Sequence, residues 1–287
     1  MGIGRSCLAD GCPQALFGPS THPPGGGRGL IPLRDQELLR QRFQAELVDQ
    51  VRIDFFTQKD LPIYLPGKEP CRYCRPTQEM LQELAGLSDL ISLRIHVFED
   101  EPEAVRAFGI ERVPAIVLRG RDGPQLKFYG LPSGHEFPEF VETIVHLSRR
   151  EVPLPEAVAR KAKRLQERVT VQVFVTPTCP YCPQMVRAAY ALAMANPKAV
   201  AAEAIEVSEF PDLARRYNIR AVPYTIINDR VAIPGAVPPE ALLEQLAKAT
   251  GTALVETAPA GETTPAELPS GDEPPPERRS SGGLIIP

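Results

Sequence analysis

Four cysteines in this 287-residue chain have the type and spacing for chemistry. Cys71-Arg72-Tyr73-Cys74 and Cys179-Pro180-Tyr181-Cys182 are two Cys-x-x-Cys pairs at an offset of 108 residues (179 − 71). What lies behind each pair recurs at an offset of 109 (223 − 114). Pro102, Arg106, Phe108, Gly109, Ile110, Val113 and Pro114 line up with Pro211, Arg215, Tyr217, Asn218, Ile219, Val222 and Pro223. A chain that repeats both a dithiol and the Val-Pro about forty residues behind it (114 − 74 and 223 − 182) has duplicated a site. Dithiol redox chemistry is the leading reading.

The attacking species in disulfide exchange is the thiolate, whereas a free thiol with a pKa of about 8.5 is mostly protonated at neutral pH. A helix N-terminus corrects this, because its unpaired N–H groups and its dipole favour the anion. Cys71 and Cys179 are therefore expected as nucleophiles at helix starts, with Cys74 and Cys182 one helical turn inward as resolving thiols. Arg72 sets a cation beside Cys71, and Pro180 removes an N–H from the first turn of the second site. The two sites are thus expected to differ in potential. Tyr73 and Tyr181 are expected to pack over the disulfides.

The surrounding pattern predicts the elements that position these residues. Val51 to Thr57 and Val169 to Thr176 read as strands, and each cysteine pair enters a helix, Cys74 to about Leu87 and Cys182 to about Ala195. Strands Ile91 to Phe98 and Ala202 to Val207 follow, then short helices opened by Pro102 and Pro211 and ended at Gly109 and Asn218. Val113-Pro114 and Val222-Pro223 lead into hairpins turning at Arg121-Asp122-Gly123 and Asn228-Asp229. Closing helices run from about Phe137 to Arg149 and Pro239 to Thr250. The expected class is α/β: two tandem units, each β-α-β-α-β-β-α around a central mixed sheet. An amphipathic helix from Leu30 to about Leu47 precedes the first unit.

Unit boundaries are expected at residues 30–150 and 151–250. Residues 1–29, rich in Gly and Pro, read as a disordered arm or a mis-assigned start, and Cys7 and Cys12 within them as incidental thiols. Residues 251–287 read as a disordered tail. Thirteen residues, Gln58 to Pro70, separate the first strand from Cys71, where only Pro177 and Thr178 follow Thr176; the first unit carries an insertion beside its site. A hydrophobic share of 43% suits globular domains, and a net charge of −4 argues against a nucleic-acid partner. No run of residues approaches a membrane span, Met1 to Gly29 lacks the apolar stretch of a signal peptide, and the cytoplasm is the expected compartment.

The strand–Cys-x-x-Cys–helix…Val-Pro unit resembles the thioredoxin/glutaredoxin fold. Its tandem form, with Phe174-Val175-Thr176-Pro177-Thr178-Cys179-Pro180-Tyr181-Cys182-Pro183, resembles the glutaredoxin-like protein disulfide oxidoreductases of thermophilic microbes. Phe128 to Phe137 and the linker Leu147-Ser148-Arg149-Arg150 share that likeness, which covers about Gly29 to Gly251. The resemblance implies cis peptide bonds before Pro114 and Pro223, with Val113-Pro114 and Val222-Pro223 facing the dithiols and binding the substrate chain. It implies no bound cofactor, with electrons from NADPH through a separate thioredoxin reductase-like flavoprotein, and disulfide-bearing client proteins as partners. A buried carboxylate commonly serves as proton acceptor for the inner cysteine in this fold. Asp54 is the candidate in the first unit, and Glu206, less so Glu203, in the second. His96, His135 and His146 show no ligand spacing.

Three other readings compete. A Cys₂…Cys₂ zinc site normally separates its pairs by about 15–20 residues rather than the offset seen here. A dedicated electron shuttle from a thioredoxin reductase to peroxiredoxins remains compatible, although the comparable reducing arms have lost one cysteine pair and both are present here. Inert structural bridges would not need the repeated Val-Pro.

Overall fold

The computed structural model describes residues 29–59 and 70–254. The expected arm with Cys7 and Cys12, most of the expected insertion, and nearly all of the expected tail lie outside the described residues.

The first half runs α1 (Leu33–Glu46), β1 (Val51–Thr57), α2 (Cys74–Ala85), β2 (Ile91–Val97), α3 (Pro102–Phe108), β3 (Ala115–Arg119), β4 (Leu126–Tyr129) and α4 (Glu136–Arg149). The second repeats it: α5 (Glu156–Ala162), β5 (Val169–Val175), α6 (Cys182–Ala195), β6 (Val200–Glu206), α7 (Pro211–Arg216), β7 (Tyr224–Ile227), β8 (Val231–Pro234) and α8 (Pro239–Thr250). The expected β-α-β-α-β-β-α order holds in each. The strands form where β-branched and aromatic residues cluster, as in Val-Arg-Ile-Asp-Phe-Phe-Thr of β1. Pro102 and Pro211 open α3 and α7, and the left-handed residues Gly109 and Asn218 follow their ends.

One helix lies outside the expected set. Pro155 caps α5, whose Val158 and Ala162 bury one face. Seven residues are too few to show a helical period clearly. The Asn196 amide, after α6, holds the far end by donating to the carbonyls of Ala162 (2.9 Å) and Leu165 (2.8 Å).

Each half pairs its strands alike, β2-β1-β3-β4 and β6-β5-β7-β8, and parallel pairing of β4 with β6 fuses them into one eight-stranded sheet. Lys127 and Glu203, side by side in that register, form an ion pair at 3.1 Å across the seam. One face of the sheet carries α3 and α7, where Phe56, Val117, Tyr129, Phe174, Ile205, Phe210 and Leu213 make a single apolar cluster spanning both halves.

Candidate dithiol sites

Each dithiol occupies the turn that carries a strand into a helix. Cys74 and Cys182 are the first residues of α2 and α6, capped by Tyr73 and Tyr181, so Cys71 and Cys179 lie just ahead of the helix. The helices start at Cys74 and Cys182, as the sequence predicts, with the outer cysteines at their N-terminal ends. The inner cysteine holds the first helical position because the x-x residues form the entry turn. Both pairs are disulfide-bonded, with Cα separations of 5.4 Å for Cys71–Cys74 and 5.5 Å for Cys179–Cys182.

The sulfurs have different surroundings. In the second site the Cys182 N–H, one of the donors a helix start leaves unpaired, points at Cys179 Sγ from 3.1 Å. That donor favours a thiolate on Cys179 once the bond is reduced. Cys179 Sγ also lies 3.6 Å from the carbonyl oxygen of Val222. In the first site the Gln58 N–H approaches the inner sulfur, Cys74 Sγ, at 3.5 Å, while the Gln58 side-chain oxygen accepts the Cys71 N–H. Tyr73 and Tyr181 remain 40% and 65% exposed. Arg72 stands exposed beside Cys71, and Pro180 in the turn before α6.

Val113–Pro114 and Val222–Pro223 are both cis. Behind each, a glycine with positive φ donates to the proline carbonyl: Gly130 to Pro114 at 3.0 Å and Gly235 to Pro223 at 2.8 Å. Here the copies diverge. A Cβ on Gly130 would meet Glu206 Cβ at 2.8 Å, and Leu131 N–H donates to Glu209 at 2.8 Å, so the second half covers this flank. A Cβ on Gly235 would meet nothing within 4 Å.

Asp54 shares a face of β1 with Phe56, which packs on Phe108 of α3. Its carboxylate is taken up there: His96 Nε2 lies 3.0 Å from one oxygen, Arg119 Nε donates to the other at 3.0 Å, and His96 Nδ1 continues to Glu101 at 2.7 Å. Glu203, on the same face, is held by Lys127 and by Gln172 at 3.0 Å. Glu206 is buried at the end of β6 and accepts the N–H groups of Ser208 (3.2 Å) and Glu209 (2.8 Å), closing the turn into α7.

A carboxylate absent from the expected set is buried without a partner. Glu136 opens α4 and is 2% exposed, with both oxygens buried and without a hydrogen-bond partner among the described residues. Burial, reinforced by the charge of Glu139, pushes its pKa up to about 8. The segment leading into it, at His135, bonds the Pro177 carbonyl just before Cys179. In sequence an acidic residue in a first helical turn reads as a solvated partner of the helix dipole, so nothing marks it. Glu139, one turn on, is buried too, with its pKa raised by desolvation and Arg187 opposing from 2.9 Å. Among the described residues no group of three or more His, Cys, Asp or Glu side chains could hold a metal ion. No helix among them is long and apolar enough to cross a membrane.

Comparison with known proteins agrees with this geometry. The thioredoxin domain family matches residues 169–248, the half with Cys179. Thioredoxin of Methanocaldococcus jannaschii is 41% identical over 81 residues, 28% of this chain and 95% of that protein. The alkyl hydroperoxide reductase AhpF of Xanthomonas campestris pv. phaseoli is 27% identical over 172 residues, 60% of this chain and 31% of that protein. The chain thus spans about a third of the length of such reductases. Among solved structures, a protein disulfide oxidoreductase from Aeropyrum pernix K1 superposes with a TM-score of 0.68 at 28% identity, covering 77% of this chain and 94% of that one. The N-terminal domain of the alkyl hydroperoxide reductase AhpF from Enterococcus faecalis gives 0.66 at 28% identity, covering 75% and 99%.

Proposed function

The chain belongs to the thioredoxin family, and from that premise we propose that it is a dithiol–disulfide oxidoreductase of protein substrates with two working sites. One observation carries the reading: two bonded Cys-x-x-Cys pairs at helix entrances, each in a half with its own cis Val-Pro. Residues 30–150 and 151–250 are the two functional units, Cys179–Cys182 and Cys71–Cys74 the catalytic pairs, and Val113-Pro114 and Val222-Pro223 the backbone that pairs with substrate.

In the reducing direction the Cys179 thiolate attacks one sulfur of a client disulfide, forming a mixed disulfide and expelling the other client sulfur as a thiolate, which takes a proton. Cys182, losing its proton, attacks Cys179 Sγ. The Cys179–Cys182 bond forms, the mixed disulfide breaks, and the client leaves with two thiols while the enzyme is oxidised by two electrons. Glu136, a buried acid whose helix entrance is bonded to the loop before Cys179, is proposed to hold that proton. Cys71 and Cys74 perform the same steps at the first site. The electrons return from NADPH through a separate flavoprotein reductase, in a reducing, cytoplasmic setting.

The likeness to the alkyl hydroperoxide reductase AhpF supports a second reading, in which the chain passes electrons from such a reductase to a peroxiredoxin. Insulin reduction with dithiothreitol tests the first. Peroxide turnover with a thioredoxin reductase and a peroxiredoxin, dependent on this chain, tests the second. Failure to reduce insulin or any small disulfide would remove both.

A further inference from the structure

The duplication offers an internal control for what surrounds each site, and the copies differ in charge where a client would lie. In the segment from Pro211 to cis-Pro223 the second half carries Arg215, Arg216 and Arg220 against one acid, Asp212. Asp212 is drawn away, with its carboxylate 3.2 Å from Arg112 of the first half. Arg220, three residues before the proline (223 − 220), is exposed, with its guanidinium Nε 3.3 Å from Asn218 Oδ1. Two residues on, the Val222 carbonyl lies 3.6 Å from Cys179 Sγ. The cation is therefore carried on the backbone two residues before the carbonyl that touches Cys179.

The equivalent segment before cis-Pro114 is balanced, with Glu103 and Glu111 against Arg106 and Arg112. Glu111 occupies the place of Arg220 (114 − 111) and its side chain is 78% exposed. The neighbouring Arg112, 22% exposed, lies over the Phe210 ring at 5.5 Å and is paired with Asp212 at 3.2 Å, with Glu111 only at 4.0 Å. An exposed acid thus stands beside this Val-Pro where the second site has an exposed cation.

We propose that the second site selects protein disulfides flanked by acidic residues, with Arg220 as the specificity-determining residue, and that the first site lacks this preference. The proposal rests on the disulfide-exchange reading above and adds its substrate class. A cation at an open lip attracts a complementary charge mainly during encounter and docking, so the preference belongs in KM and is screened by salt.

The test uses the full chain with the first pair silenced by Cys71→Ser and Cys74→Ser, regenerated by dithiothreitol. Two synthetic peptides share one disulfide and differ only in flanking Glu or Lys. The expected result at low salt is a KM about fivefold lower for the Glu peptide, the size that an exposed charge pair permits, with kcat alike. Added salt should erase the difference, and Arg220→Glu should reverse it. The complementary variant, silenced at Cys179 and Cys182, should not favour the Glu peptide. Equal KM values, or a preference that survives Arg220→Glu, would overturn the proposal while leaving exchange intact. Turnover of neither peptide would instead overturn the exchange reading, and the proposal with it.

Discussion

His135 donates its backbone N–H to the carbonyl oxygen of Pro177 at 2.9 Å, joining the entrance of α4 in the first half to the loop that delivers Cys179 in the second. The same connection begins at Gly130, bonded to the carbonyl of Pro114, and passes Leu131, bonded to Glu209. Residues 130–135 therefore form a strap from the cis-proline of one site to the cysteine turn of the other. The halves are not independent copies: the strap shields one flank of the first site and supports the second.

That asymmetry ranks the sites. Cys179→Ser is expected to abolish most insulin reduction and Cys71→Ser to remove less. Cys179 has the Cys182 N–H on its sulfur and an open flank at Gly235, whereas Gly130 is covered by Glu206 and Glu209. Initial rates of the two variants against wild type check this, and equal losses would refute the ranking.

Glu136 should leave a signature in stability. Its folded-state pKa of about 8 lies above the ordinary 4.5, so the folded chain holds the proton more tightly than the unfolded chain. Its contribution is complete below about pH 4.5 and is lost as pH rises towards about 8. Glu136→Gln, which cannot ionise, is expected to flatten that decline. At pH 8 the variant should melt several degrees above wild type, for a gain on the order of 1–3 kcal/mol at about 2–4 °C each. Melting curves at pH 5 and pH 8 decide it; a wild-type Tm that declines no more steeply than that of the variant would return Glu136 to an ordinary solvated acid.

The cysteine chemistry, the element order and the two Val-Pro dipeptides are legible in the sequence because duplication marks them twice, and their cis bonds are what the family resemblance implies. What is not legible depends on contacts between the halves. The sequence places Leu-Lys-Phe-Tyr of β4 only in a hairpin, and its pairing with Ala-Glu-Ala-Ile of β6 reveals a continuous sheet. Asp54 is legible as a charge in an apolar strand, yet its partners His96 and Arg119 are 42 and 65 residues away. Glu136 resembles any first-turn acid until the fold buries it.

Asp54→Asn separates structure from proton transfer. The carboxylate bridges β1, β2 and β3 on the α3 face through His96 and Arg119. Removing its charge should cost about 2–3 kcal/mol, because the cationic partner loses its counter-charge. The pH profile of disulfide reduction by the first site should keep its shape, with Cys179 and Cys182 replaced by Ser to isolate it. An altered profile would return Asp54 to the role of proton acceptor for Cys74.

The strap makes its own prediction through two glycines with similar backbones and opposite surroundings. Gly134 has a φ of +59°, and a Cβ there would collide with the Pro177 carbonyl oxygen. Gly235 has a φ of +79° with open space around it. Gly235→Ala should cost only the left-handed conformation, about 1–2 kcal/mol. Gly134→Ala must also push the strap off the loop before Cys179, so its loss should be clearly larger and should lower exchange at the second site. Urea midpoints for the two variants measure the difference in stability. Rates with the first pair silenced show whether the displaced loop carries Cys179 with it; equal midpoints and unchanged rates would mean that the strap supports nothing.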